Sequence, residues 1–222
     1  MLALLLLVLT RDGVVHRLQD GREQSIQAAP HASAVATLAD GSVAVLAGDR
    51  LTLRKRTIPG HFADVKALAG GSALYALVGD GAVRIDVASG QRERVVTLPR
   101  AHRLAVDGSA LFVEADGVIV EAGTTHSWRV PGRPIALAAA AGKLWIATKE
   151  GPLFEIDRAT AGQRDLGLGN WFGTLGLAAT ADGQLFAVTV AGKLWRIDPQ
   201  RREKTIVSMD GWQGAIDIAV LR

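Results

Sequence analysis

The chain has 222 residues, 49% of them apolar, and a formal net charge of +3. That is enough apolar material for a large core, and too little positive charge for the concentrated basic face that nucleic acid requires. With no cysteine in the chain, disulfide frameworks, zinc–thiolate sites and thiol nucleophiles are excluded.

The first element is the apolar run Met1–Leu9. It is short for the core of an export signal, no Lys or Arg precedes it, and no small-x-small cleavage site follows. It is also far too short to cross a bilayer. Leu2–Thr10 reads better as a strand, followed by an Asp12-Gly13 turn, a strand Val14–Leu18 and a polar strand Gln24–Ala28. The same phrase returns in fainter form from Val35, from Val65 and from Arg103. It is clear in Ile135–Asp157 and clearest in Leu175–Asp198, which the polar strand Lys204–Met209 follows. The turn glycines Gly13, Gly48, Gly81, Gly117, Gly151 and Gly192 are spaced by 35, 33, 36, 34 and 41 residues, close to the 37 that is one sixth of the chain.

Each copy reads as four short strands. Asp-Gly pairs at 12–13, 80–81, 107–108, 116–117 and 182–183 are hairpin signals. No segment carries a helical period with caps. The last element, Ala215–Val220, matches the first strand of a copy, Leu175-Gly-Leu-Ala, which the N-terminal fragment lacks. The expectation is an all-β chain, one domain over residues 1–222: a six-bladed β-propeller of four-stranded blades. The C-terminal strand would complete one blade with the three N-terminal strands. An open β-sandwich, the alternative, does not predict complementary fragments at the two ends. A closed ring needs no partner to hide an edge, so closure does not decide the oligomeric state; a monomer is the expectation.

Strand alternation places the second-to-third-strand turns and the blade-to-blade crossovers on one face, here called the upper face. Loops held on a rigid scaffold are where recognition concentrates. The crossovers carry His31, His61, Phe62, His102, Arg133, Trp171, Phe172 and Trp212. These are the candidate binding residues, with the indoles read either as exposed anchors or as plugs between blades. The upper turns carry Asp12, Asp49, Asp80, Asp116 and Glu150, the residue type a tight hairpin wants. Lys66, Arg103 and Asp217 interrupt apolar inner strands, and Arg103 and Asp217 are the candidate channel residues. A carboxylate at Asp217 needs water or a partner to offset its burial. Trp145 and Trp195 fall in strand phrases and are expected in the core, with Trp128 covering a blade edge. The basic clusters Arg54-Lys55-Arg56 and Arg201-Arg202-Glu203-Lys204 fall on outer strands, where charge guards an edge.

Gly142-Lys-Leu-Trp-Ile-Ala-Thr-Lys-Glu-Gly-Pro-Leu-Phe-Glu-Ile-Asp157 resembles the blade phrase of bacterial sensor-type and streptogramin-lyase-like propellers, and Gly192-Lys-Leu-Trp-Arg-Ile-Asp198 repeats its second half. The resemblance covers about residues 135–209. It implies blades; for a lyase it would also imply a metal-assisted histidine mechanism. No catalytic motif matches residue by residue, and those lyases have seven blades where six are counted here. The Trp-Asp ending of WD40 repeats is absent, and the Gly-Gly doublet of kelch blades occurs once, at Gly70-Gly71.

No nucleophile elbow, phosphate loop or His-Glu helix motif occurs. The function expected first is a non-enzymatic module that binds a protein or peptide on the upper face, without a cofactor or a bound metal. A metal-assisted hydrolase or lyase using the histidines and upper acids is the alternative, and a glycan-binding lectin, or binding of another small molecule, is the third. Neither nucleic acid nor membrane is expected as a partner. A cytoplasmic location is expected, with export as the alternative.

Overall fold

The computed structural model describes residues 5–19, 22–208, 211, 212 and 214–221. Of the expected elements, Leu2–Leu4, Met209, Asp210 and Gln213 lie outside them. The described residues form six antiparallel sheets of four strands each, the six blades of a propeller. Among them there is no helix long and apolar enough to cross a membrane.

Blade 1 joins the two ends of the chain. Its strands, from the axis outward, are Ala215–Leu221, Leu5–Thr10, Val14–Gln19 and Arg22–Ala28. Leu5–Thr10 pairs on both sides, with Leu6 opposite Val220 and Leu18, and Leu7 opposite Ala219 and Arg17. Leu6 and Val8 pack toward blade 6 and Leu7 and Leu9 toward blade 2, and all four are fully buried. The apolar start is a central strand, and central strands covered on both faces read as continuous apolar runs.

The other five blades follow in chain order. Their inner strands are Ala32–Thr37, Ala67–Gly70, Ala101–Asp107, Pro134–Ala140 and Thr174–Ala179. Each contacts the inner strand of the next blade, and Ala215–Leu221 contacts both Thr174–Ala179 and Ala32–Thr37, so the ring is closed. Short outer strands such as Arg56–Thr57 and Gln163–Asp165 are polar and exposed, which blunts the free edge.

One register rule builds the core. At each seam a branched residue of one inner strand packs on alanines or a neighbouring small residue of the preceding blade. Val35 meets Ala219, Leu68 meets Ala34 and Ala36, and Leu104 meets Ala67 and Ala69. Leu137 meets Ala105, Leu177 meets Ala136 and Ala138, and Ile218 meets Ala178. Six separate apolar clusters result, one per seam. Side chains alternate across a strand with period two, so the branched residues face one neighbour and the alanines face the other. Small residues near the axis let six sheets converge. At Gly70 the approach is close: a Cβ would come within 2.1 Å of the Thr37 carbonyl oxygen. On Gly71 it would meet both the Gly108 carbonyl and Val106 Cγ1 at 2.5 Å. The single Gly-Gly doublet is a close-packing device between blades.

Candidate functional site

The upper face is stitched together by backbone hydrogen bonds between crossovers and turns. The amides of Ala29, Phe62, Leu98 and Trp171 donate to the carbonyls of Gly13, Asp49, Asp80 and Gly151 in the upper turns, at 2.6–2.9 Å. The carbonyls of Ala29, Phe62, Leu98, Trp171 and Trp212 in turn accept the amide three residues on, at the entry of each inner strand. These five residues therefore hold equivalent positions.

That equivalence places three of the expected binding residues. Phe62, Trp171 and Trp212 are 0%, 3% and 2% exposed. Phe62 belongs to the cluster between blades 2 and 3, Trp171 to that between blades 5 and 6, and Trp212 to that between blades 6 and 1. Trp171 meets Trp195 edge-on and has Lys204 Nζ 5.3 Å from its ring centre, and Trp212 meets His16 edge-on at 5.5 Å. Exposed-anchor geometry is thus corrected to plug geometry for all three. A crossover must turn from the rim to the axis, and an apolar side chain at that turn fills the wedge between two diverging sheets. Trp145 and Trp128 are buried and Trp195 is partly so.

Four expected residues stand exposed on the upper face: His31, His61, Arg133 and Phe172. His31 has a positive φ of 66°. His61 Nδ1 lies 3.1 Å from Asp49 of the upper turn. Arg100 pairs with Asp116 at 2.8 Å and Arg94 with Asp80 at 2.6 Å. Glu150 accepts the Arg133 amide at 2.9 Å, and this bond first of all holds its carboxyl below the ordinary range. Asp12 is lowered chiefly by the Thr10 hydroxyl, 2.6 Å away. All five upper acids are engaged locally in fastening turns to their surroundings. Thr10 Oγ1 also lies 3.2 Å from His16 Nε2, whose Nδ1 is 2.8 Å from Glu23. Thr10 is buried and shares its hydroxyl with Asp12 and the Val14 carbonyl, so this chain locks a turn. Among the described residues no three His, Asp or Glu side chains converge to hold a metal ion.

The remaining expected residues, His102, Arg103 and Asp217, line a cavity of about 330 Å³ at the axis. Five inner strands enter it through a register shift, between Ala32 and Ala34, Ala101 and Arg103, Pro134 and Ala136, Thr174 and Gly176, and opposite Leu9 and Thr10. The skipped residues are Ser33, His102, Ile135, Leu175 and Ile216, and Lys66 occupies the corresponding place in blade 3. A bulged residue drops out of the ladder and can re-aim its side chain. All six line the cavity, forming its rim. Three consecutive blades contribute a polar arc, Ser33, Lys66 and His102. The other three contribute an apolar arc, Ile135, Leu175 and Ile216.

One residue deeper, five blades carry Ala34, Ala67, Ala136, Gly176 and the acid Asp217, and blade 4 carries Arg103. Arg103 Nη1 pairs at 3.0 Å with Glu114, which is 1% exposed and also accepts the Gly117 amide at 2.9 Å. Asp217 stands three blades away at the same register. Its Oδ2 accepts the Val35 amide and its Oδ1 the Ile218 amide, each at 2.9 Å. Protein encloses it, though the channel leaves part of its surface open to water. Burial pushes its carboxyl up to about 7 against the opposing pull of the two amides.

No protein-family model matches the sequence, and no curated protein matches it. Many solved chains match the structure. One is a crystal structure of a protein of unknown function from Bacteroides caccae, 14% identical, covering 99% of each chain with a TM-score of 0.65. A likeness at that identity speaks for the fold alone.

Proposed function

We propose that this propeller is a recognition module that binds a protein or peptide partner on its upper face. The reading is carried by Phe172 and Val190. They are the two most exposed large apolar residues among those described, at 56% and 58%. Phe172 lies in the crossover into blade 6, and Val190 lies in the upper turn of that blade. The Val190 amide donates to the carbonyl of Gly173, next to Phe172, at 2.8 Å. The two therefore stand on loops joined backbone to backbone. A solvent-exposed aromatic and an aliphatic, both on backbone-clamped loops, offer a partner preformed apolar surface. An aromatic anchor on a rigid scaffold is also the geometry that binding hot spots use.

The test is capture by the immobilised protein, comparing wild type with Phe172→Ser/Val190→Ser. Wild type is expected to retain a protein or peptide that the double variant releases, with thermal unfolding unchanged. Equal capture by both would remove these two residues from the interface and overturn the reading.

A further inference from the structure

We infer that the upper mouth of the channel is a binding site for a small zwitterion of amino-acid or dipeptide size with an apolar side chain. Three features of one cavity carry this. First, the cation of Lys66 and the imidazole of His102 sit side by side on the rim of blades 3 and 4. Among the described residues neither has a side-chain partner, whereas Arg103 just below is tied to Glu114. Second, Asp217 lies across the ring in blade 1 and is held only by two backbone amides. A carboxylate enclosed by protein without a cation has lost hydration that a bound ammonium would replace. Third, Ile135, Leu175 and Ile216 close the remaining arc with apolar surface that is only partly covered.

An ammonium at Asp217, a carboxylate at Lys66 and His102, and an apolar group on the isoleucine–leucine arc satisfy all three at once. An anion alone leaves Asp217 unmatched, and a cation alone leaves Lys66 unmatched. The cavity, about 330 Å³, is at the lower end of small-ligand sites, roughly 300 Å³. The inference is independent of the partner face, because neither Phe172 nor Val190 lines this cavity.

Calorimetric titration of the full chain with leucine and with leucyl-leucine tests it. Saturable binding of at least one is expected. N-acetylleucine lacks the ammonium and leucinamide lacks the carboxylate, and each is expected to bind at least about tenfold more weakly than leucine. Asp217→Asn and Lys66→Met are each expected to weaken the bound probe by a similar factor, and Arg100→Met, outside the cavity, to leave it unchanged. Lys66 is exposed at the rim, so Lys66→Met tests the site without touching the core even if Asp217→Asn disturbs the seam. No binding of either probe up to about 10 mM overturns the site. So does binding that Lys66→Met leaves intact, or N-acetylleucine binding as tightly as leucine. These outcomes leave capture through Phe172 and Val190 untouched, so the two readings fail separately.

Discussion

The carboxylate of Asp217, on the last strand of the chain, accepts the backbone amide of Val35 at 2.9 Å across the seam between blades 1 and 2. One polar side chain thereby fastens the closing strand to the blade beyond it. The other inner strands carry Ala, Gly or an ion-paired Arg at this register.

The burial of this side chain makes closure sensitive to pH. Burial raises the Asp217 carboxyl from 3.8 in the unfolded chain to about 7 in the fold. Between those values the native state keeps a proton that the unfolded chain has released, so this group's contribution to stability falls as pH rises. The shift corresponds to roughly 2–4 kcal/mol, discounted for water in the channel. Asp217→Asn removes the titration. Thermal unfolding of both proteins at pH 4, 6 and 8 is expected to show the variant gaining steadily on wild type. Asp12, Asp40, Asp64, Asp86, Asp157 and Glu150, whose carboxyls are lowered, work in the opposite sense at acid pH. They are common to both proteins and cancel in the difference. A difference that stays constant with pH would contradict the assignment.

Arg103 and Glu114 lead to a second prediction. Glu114 occupies the register that Leu9, Leu46, Leu77, Ala147 and Val188 hold in the other blades. It is an ion inside an otherwise apolar layer. Removing its partner with Arg103→Ala leaves a buried carboxylate with one amide, and is expected to cost about 3 kcal/mol in urea unfolding, the low end for a buried pair because Arg103 is partly exposed. Arg103→Ala/Glu114→Leu restores the apolar layer and should recover most of that loss. Equal destabilisation in the single and double variants would mean that the Arg103 stem, not the charge, matters.

The blades, their number and their closure were legible because each strand phrase is local and repeats. Asp217 and Arg103 were legible for the same reason, as charges interrupting an apolar run. The rim was not. Lys66, another charge in an apolar run, and His102 stood out singly, but a bulge shifts register by one residue and flips which side chains share a face, so that they share a rim with Ser33, Ile135, Leu175 and Ile216 is not announced by alternation. Trp171 and Trp212 were legible as equivalents of each other. Their burial becomes apparent only when Phe62 and Leu98 are recognised at the same turn, and crossovers of unequal length hide that alignment. Val190 depends on a contact with Gly173 seventeen residues earlier, which no local pattern carries.

The plug position yields opposite outcomes for neighbouring aromatics. Trp171→Ala empties a site that is 3% exposed and is expected to cost about 3–5 kcal/mol by urea unfolding. Phe172→Ser, one residue on, replaces a side chain that is 56% exposed and should change stability by no more than about 0.5 kcal/mol. If Phe172→Ser destabilised as strongly as Trp171→Ala, the assignment of plug and exposed aromatic would have to be exchanged.

The closing strand gives the last prediction. Leu6 and Val8 pack into the cluster between blades 6 and 1 and Leu7 and Leu9 into that between blades 1 and 2, while Ala215–Leu221 pairs one edge of their strand and Val14–Gln19 the other. Deleting residues 215–222 removes one edge of that strand's pairing and the Ile218 and Val220 side chains from the cluster between blades 6 and 1. It also removes Ala219 from the cluster between blades 1 and 2 and the Asp217 bridge to Val35. What remains is a largely apolar edge with unpaired amides and carbonyls, the arrangement that templates pairing with another chain. The truncated protein is expected to aggregate or to bind a hydrophobic dye, and co-expression of a peptide spanning 211–222 should restore solubility by rebuilding blade 1. A truncated chain that stays monomeric with the wild-type Tm would show that the ring holds without its closing strand.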